Sequence, residues 1–194
     1  MMSTQATVKS TGVRIAAGEG LELAYPQCEK GIGAVIQAPD SPHLIAGVRV
    51  RPYSIYADDR GYFLEVVRTG RDLVAQYARA QVATAVGYPG TIKGFHYHLR
   101  QHDCWTAVAG MLQVALADLR QGSPTFGARN TLYLGTLRPW QILIPPGVGH
   151  GYKIIGRDPA VLVYVTDQFY DPADEGRLAF DDPYINYDWE TQHK

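Results

Sequence analysis

The chain has 194 residues, with Lys+Arg at 18 against Asp+Glu at 19 and only 19% of its residues charged. That length suits one domain or one domain with an appended arm, and a net charge near zero removes the electrostatic footprint that nucleic acid or an anionic membrane surface requires. A hydrophobic share of 46%, with 13 Tyr, 3 Trp and 5 Phe, supplies a packed core and excludes global disorder. The segment from Met1 to Ala17 lacks the apolar core of a signal peptide, and no apolar run of about 18 residues follows anywhere. A cytoplasmic protein is the expectation. Cys28 and Cys104 form no Cys-x-x-Cys pair, so neither a disulfide scaffold nor a thiolate zinc site is expected.

In chain order, residues 1–45 mix Gly, Pro and Ser with short apolar pieces such as Val13-Arg14-Ile15 and Ala34-Val35-Ile36, without sustained periodicity. They read as an arm packed on the main domain, residues 46–194, or on a neighbouring subunit. From Ile45 onward, short runs rich in β-branched and aromatic residues alternate with turn signals. Strands are expected at Gly47–Arg51, Tyr62–Val67, Thr91–His98, Trp105–Val108, Met111–Ala117, Thr131–Leu134, Gln141–Ile144, Gly151–Ile155 and Val161–Thr166. A helix is expected at Arg71–Arg79, where Leu73, Val74 and Tyr77 recur at helical spacing. No glycine-rich loop opens a helix, which argues against dinucleotide and P-loop sites. The tail from Tyr170, with Asp171-Pro172, Asp181-Asp182-Pro183 and Trp189, reads as turns that close one end of a sandwich or barrel.

Three of the six histidines fall in two short segments. In Gly94-Phe95-His96-Tyr97-His98, two positions on a strand separate His96 from His98, so both imidazoles leave one face. Asp103 and Gly110 follow, and Pro145-Pro146-Gly147-Val148-Gly149-His150 carries the third at the start of a strand. The pattern resembles the two motifs of the cupin superfamily, with Asp103 standing where cupins usually have Glu. A closer resemblance runs from about Val48 to Trp189, to the dTDP-4-dehydrorhamnose 3,5-epimerase family, the RmlC-like cupins. It rests on Asp59-Arg60-Gly61-Tyr62-Phe63-Leu64-Glu65, Ile92-Lys93-Gly94-Phe95-His96-Tyr97, Asp118-Leu119-Arg120 with Ser123-Pro124-Thr125-Phe126-Gly127, Ile144-Pro145-Pro146-Gly147 with His150-Gly151-Tyr152, Tyr164 to Tyr170, and Phe180-Asp181-Asp182-Pro183 with Trp189. The fold this implies is an all-β cupin jelly-roll barrel with an N-terminal arm and one or two short helices.

The family reaction inverts stereocentres beside the 4-keto group of a nucleotide-linked 6-deoxysugar, most often dTDP-linked. It needs a base near neutral pKa, an acid on the opposite ring face and a donor to the enolate oxygen. By motif position the resemblance implies His96 as base and Tyr164 as acid, with Arg60, Glu65, Gln81, Lys93, His150 and Tyr170 binding substrate, no required cofactor, and a homodimer in which an N-terminal strand crosses to the partner.

Three departures stand against a simple transfer. The family's enolate-side lysine falls at Asp103, the glutamine two after the base is His98, and the C-terminal carboxylate that orients the base has no counterpart before Lys194. A bare carboxylate beside a developing enolate raises the barrier. His96, His98, Asp103 and His150 therefore support a second reading: a metal cupin holding Zn, Fe, Mn or Ni and acting as an oxygenase, lyase or cyclase on another small molecule. His102 is an alternative ligand to Asp103. A catalytically silent sugar-nucleotide binder is the third reading.

Overall fold

The computed structural model describes residues 8–192. β1 (Ser10–Gly18) and β2 (Leu21–Pro26) form a hairpin, followed by β3 (Ala34–Val35) and β4 (Arg49–Pro52). β5 (Ile55–Asp58) and β6 (Gly61–Leu64) make a second hairpin. After one 3-10 turn come β7 (Gln81–Gly87), β8 (Ile92–His98), β9 (Asp103–Ala109), β10 (Met111–Asp118), β11 (Arg129–Gly135), β12 (Trp140–Ile144), β13 (Val148–Ile155), β14 (Ala160–Thr166) and β15 (Glu175–Arg177). Two larger sheets result, in the orders β15-β8-β13-β10-β11-β3 and β4-β12-β9-β14-β7. They are the two halves of a jelly-roll barrel.

β10 explains why one sheet is covered on both sides. Its sequence, MLQVALAD, is nearly continuous in apolar residues, the mark of a strand with no solvent face. Leu112, Val114 and Leu116 point into the core between the sheets with Leu132, Leu134, Ile142 and Ile144. Ala115 and Ala117 point the other way, into a second cluster with Leu23, Phe95, Ile185, Tyr187 and Trp189. Between them, the Gln113 amide donates to the Tyr187 hydroxyl at 3.1 Å.

The outer cover comes from the N-terminal arm and the C-terminal tail. Leu23 is wholly buried, and the Ala24 amide donates to the Leu119 carbonyl at 3.0 Å. β3 pairs in parallel with β11, and Ile36 and Ile45 sit in the inter-sheet core. From residue 10 onward the arm is thus built into its own chain's barrel, because its apolar residues complete both cores. Residues 1–7 of the expected arm lie outside the described residues.

Each expected strand has a counterpart, with ends moved by a few residues. The helix expected at Arg71–Arg79 is not there: only a 3-10 turn at Asp72–Val74 forms. Arg71, at its N-cap, offers no side-chain cap, and Asp72 adopts φ 60. The periodic apolar residues instead plug a small cluster, where Leu73 and Val74 are buried against Cys104, Leu143 and Val165. The tail, expected to hold turns alone, contributes the short β15, which pairs with β8.

Candidate active site

β8 alternates as its period requires. Phe95 and Tyr97 enter the outer cluster, while His96 and His98 face a cavity of about 350 Å³ at the mouth of the barrel. His150, on β13, is paired in register with His96. The approach of these strands depends on glycine. Gly94 has φ +147, and a Cβ there would stand 2.6 Å from the Gly151 Cα, so any larger residue would push the two histidine-bearing strands apart. Gly147 fixes the turn into β13, with φ +76 and its amide donating to the His98 carbonyl at 2.7 Å.

The five-stranded sheet supplies the facing wall. Asp103 and Trp105 come from β9, Tyr164 and Thr166 from β14, and Gln81 from β7. His96 and Tyr164 therefore line one cavity from opposite sheets. Lys93, His150 and Tyr170 line it too, and Gln81 also accepts from the Tyr170 amide at 3.0 Å. Glu175 and Arg177, opposite His98 and His96 on β15, complete the rim. Sequence reasoning missed these two, together with Gln101, Trp105, Thr166 and Asp174.

Arg60 and Glu65 are not at this cavity. Arg60 sits on the β5–β6 turn with its side chain 84% exposed and paired to Asp58. Glu65 pairs with Arg68 at 2.6 Å and lines a separate shallow cleft with Arg51, Asp72 and Gln141. The reason is topological: β5 and β6 form a two-stranded sheet of their own, outside both walls of the barrel.

At the buried end of the cavity, His150 Nε2 lies 3.2 Å and His98 Nε2 3.7 Å from Asp103 Oδ2. The Gln101 amide donates to Asp103 Oδ1 at 2.8 Å. Behind His98, Asp174 accepts the backbone N–H groups of Leu99, Arg100 and Gln101 at 2.9–3.1 Å, which fixes the loop that follows β8. Among the described residues, only His98, Asp103 and His150 bring potential metal-ligating atoms within 4.8 Å of one another. The expected quartet is thus a trio: His96 stands aside, its ring 6.4 Å from that of His150. His102 is not in the set, being turned outward to Asp167 at 2.9 Å.

Electrostatics follow from burial. Burial, then the neighbouring His150 ring, holds His96 below the usual imidazole range, while Glu175 pulls it back. The same two causes lower His98. Burial acts to raise Asp103, but the nearby His150 and His98 rings and the Gln101 amide outweigh it, and the carboxyl stays below its ordinary range. Burial, with Tyr164 adding to it, pushes Tyr152 up to about 12, so its hydroxyl is a neutral donor. A histidine held below its usual range and two tyrosines, Tyr152 and Tyr164, thus line one pocket.

Comparison with known proteins places this geometry. Residues 42–194 match the family described as dTDP-4-dehydrorhamnose 3,5-epimerase. The chain is 40% identical over 153 residues to the spore coat polysaccharide biosynthesis protein SpsL of Bacillus subtilis, covering 78% of this chain and 100% of that one. It is 34% identical over 151 residues to the probable low-salt glycan biosynthesis epimerase Agl13 of Haloferax volcanii, covering 76% and 96%. Among solved structures, NovW, a 4-keto-6-deoxy sugar epimerase from Streptomyces spheroides, superposes with a TM-score of 0.67 at 31% identity, covering 76% of each chain. With matched motifs, barrel and cavity in agreement, the chain belongs to the dTDP-4-dehydrorhamnose 3,5-epimerase family and is an isomerase of that class.

Proposed function

We propose that the protein epimerises a dTDP-linked 4-keto-6-deoxysugar, with His96 removing a proton alpha to the ketone and Tyr164 returning one on the other face. The observation that carries this reading is that the two side chains enter one cavity from opposite sheets. A sugar ring lying between them meets a base on one face and an acid on the other, the geometry an inversion needs. Burial keeps His96 unprotonated near neutral pH, ready to accept the proton. Lys93 and Arg177 at the rim suit a diphosphate, and of the other residues expected to bind substrate, Gln81, His150 and Tyr170 line the same cavity. The proton transfers need no cofactor, since histidine and tyrosine supply both groups.

In deuterium oxide, the purified protein should incorporate deuterium alpha to the ketone of a dTDP-4-keto-6-deoxysugar. His96→Ala should slow exchange by roughly 10²- to 10⁴-fold, the usual contribution of a positioned base. Absence of exchange with all of a dTDP-, GDP- and CDP-linked panel would exclude the reading.

We also infer a homodimer. The exposed apolar side chains of β7 support it, as does the position of Arg60 and Glu65. Placed outside their own cavity, these two reach substrate only if the β5–β6 hairpin meets the mouth of a second protomer. No helix among the described residues is long and apolar enough to cross a membrane. A cytoplasmic site of action fits a nucleotide-linked substrate.

A further inference from the structure

The buried cluster behind His96 has a proton inventory that the epimerase route leaves unexplained. His150 Nδ1 lies 3.0 Å from the Val148 carbonyl, an oxygen that only accepts, so Nδ1 carries the imidazole N–H. In a neutral ring Nε2 is then a lone pair, yet it faces a carboxylate oxygen, Asp103 Oδ2, at 3.2 Å. His98 points at the same oxygen. Its Nε2 stands 3.7 Å from Asp103 Oδ2 and receives the Gln101 amide at 3.2 Å, the contact expected of an unprotonated nitrogen. Its Nδ1 is turned instead toward Asp174 Oδ2 at 3.8 Å.

Three lone-pair-bearing atoms thus converge on residues only 8%, 4% and 4% exposed. Acceptors facing one another away from water repel, so positive charge has to enter the cluster. A second proton on His150 satisfies its contact with Asp103 Oδ2, and the Gln101 amide already satisfies His98 Nε2, so a metal ion entering the trio would displace that proton and that amide contact.

We propose that His98 Nε2, Asp103 Oδ2 and His150 Nε2 bind one divalent first-row transition metal ion. Nitrogen and oxygen ligands bonded at about 2.1 Å to a tetrahedral centre stand about 3.4 Å apart, and the observed 3.2 and 3.7 Å lie on either side of that. The remote ring nitrogen of His150 already has a partner of the kind ligand histidines use, the Val148 carbonyl at 3.0 Å, and that of His98 faces the Asp174 carboxylate at 3.8 Å. Three protein ligands leave a coordination position open toward the cavity. His96 lies outside the set, so holding a metal and removing a proton do not compete for one side chain. The metal's role rests on the epimerase reading: a dication on Asp103 turns the local charge from −1 to +1, and a carboxylate that would oppose an enolate becomes part of a site that favours it.

The test uses the full chain, stripped with a chelator and titrated with Co²⁺ without substrate. One equivalent should bind with visible d–d absorption bands, and Zn²⁺ should displace it. His98→Gln and Asp103→Asn, both close in size, should each weaken Zn²⁺ binding by about 10²-fold or more, whereas His96→Ala should leave it within threefold. Absence of Co²⁺ bands in the wild-type protein at millimolar metal, or bands unchanged in Asp103→Asn, overturns the site and leaves a shared proton in its place. Deuterium exchange measured separately keeps the two ideas apart: metal binding without exchange refutes the epimerase reading alone, and exchange without metal binding refutes the site alone.

Discussion

Lys93 on β8 and Arg177 on β15 stand on neighbouring strands at the rim of the cavity, beside the histidines yet reaching solvent. A diphosphate held there exchanges water for charge-assisted hydrogen bonds, each contributing about 1.5–3 kcal/mol. Lys93→Ala should therefore weaken dTDP binding at least roughly tenfold by calorimetry, and an affinity unchanged within twofold would remove Lys93 from the site. The histidines and Asp103 are legible in the sequence because each lies in a short motif whose strand period fixes its direction. Arg177 and Glu175 are not, since a three-residue edge strand carries no periodicity and only its pairing with β8 turns it inward. Motif likeness places Arg60 and Glu65 on a hairpin but says nothing about which cavity that hairpin faces. The metal quartet fails at His96 for a related reason. Spacing of two puts His96 and His98 on one face, but among the described residues only His98 joins Asp103 and His150 in a group whose ligand atoms lie within 4.8 Å of one another.

At the scale of elements, the outer cover of β10 is where the arm contributes most to stability. Leu23 on β2 is fully buried against Phe95 and the tail aromatics. Truncating such a leucine loses its transfer free energy and leaves a cavity, so Leu23→Ala should cost about 2–5 kcal/mol in urea unfolding. Val13→Ala on β1, 47% exposed, should stay within about 0.5 kcal/mol. Equal effects would mean that the hairpin is not docked as described. The central strands are readable from their apolar runs, and β10 most plainly. β1, β2, β5 and β7 are not, because Ala, Gly and Thr dilute the alternation that identifies a strand. The Arg71–Arg79 segment errs in the opposite sense. Its helical spacing is real, but nothing caps it, and a single turn suffices to bury Leu73 and Val74.

For the whole molecule, the outer edge of the five-stranded sheet is the surface on which the proposed dimer rests. β7 ends that sheet, and Val82, Val86 and the following Tyr88 are 61%, 58% and 73% exposed. Edge strands of monomers are usually blunted by charge or proline, because an open edge with apolar side chains pairs with whatever meets it. β7 carries neither charge nor proline. Closed two-fold pairing is the commonest way to cover such a surface, and it sets the same patch against itself. The protein should therefore sediment at twice its chain mass at about 10 µM, a concentration well above the dissociation constant of a stable dimer. Val82→Lys combined with Val86→Lys should shift it to the monomer, since a self-facing patch brings the four ammonium groups of two protomers together. A wild-type monomer at that concentration, or a double variant that stays dimeric, would place the interface elsewhere and leave the position of Arg60 and Glu65 without this account.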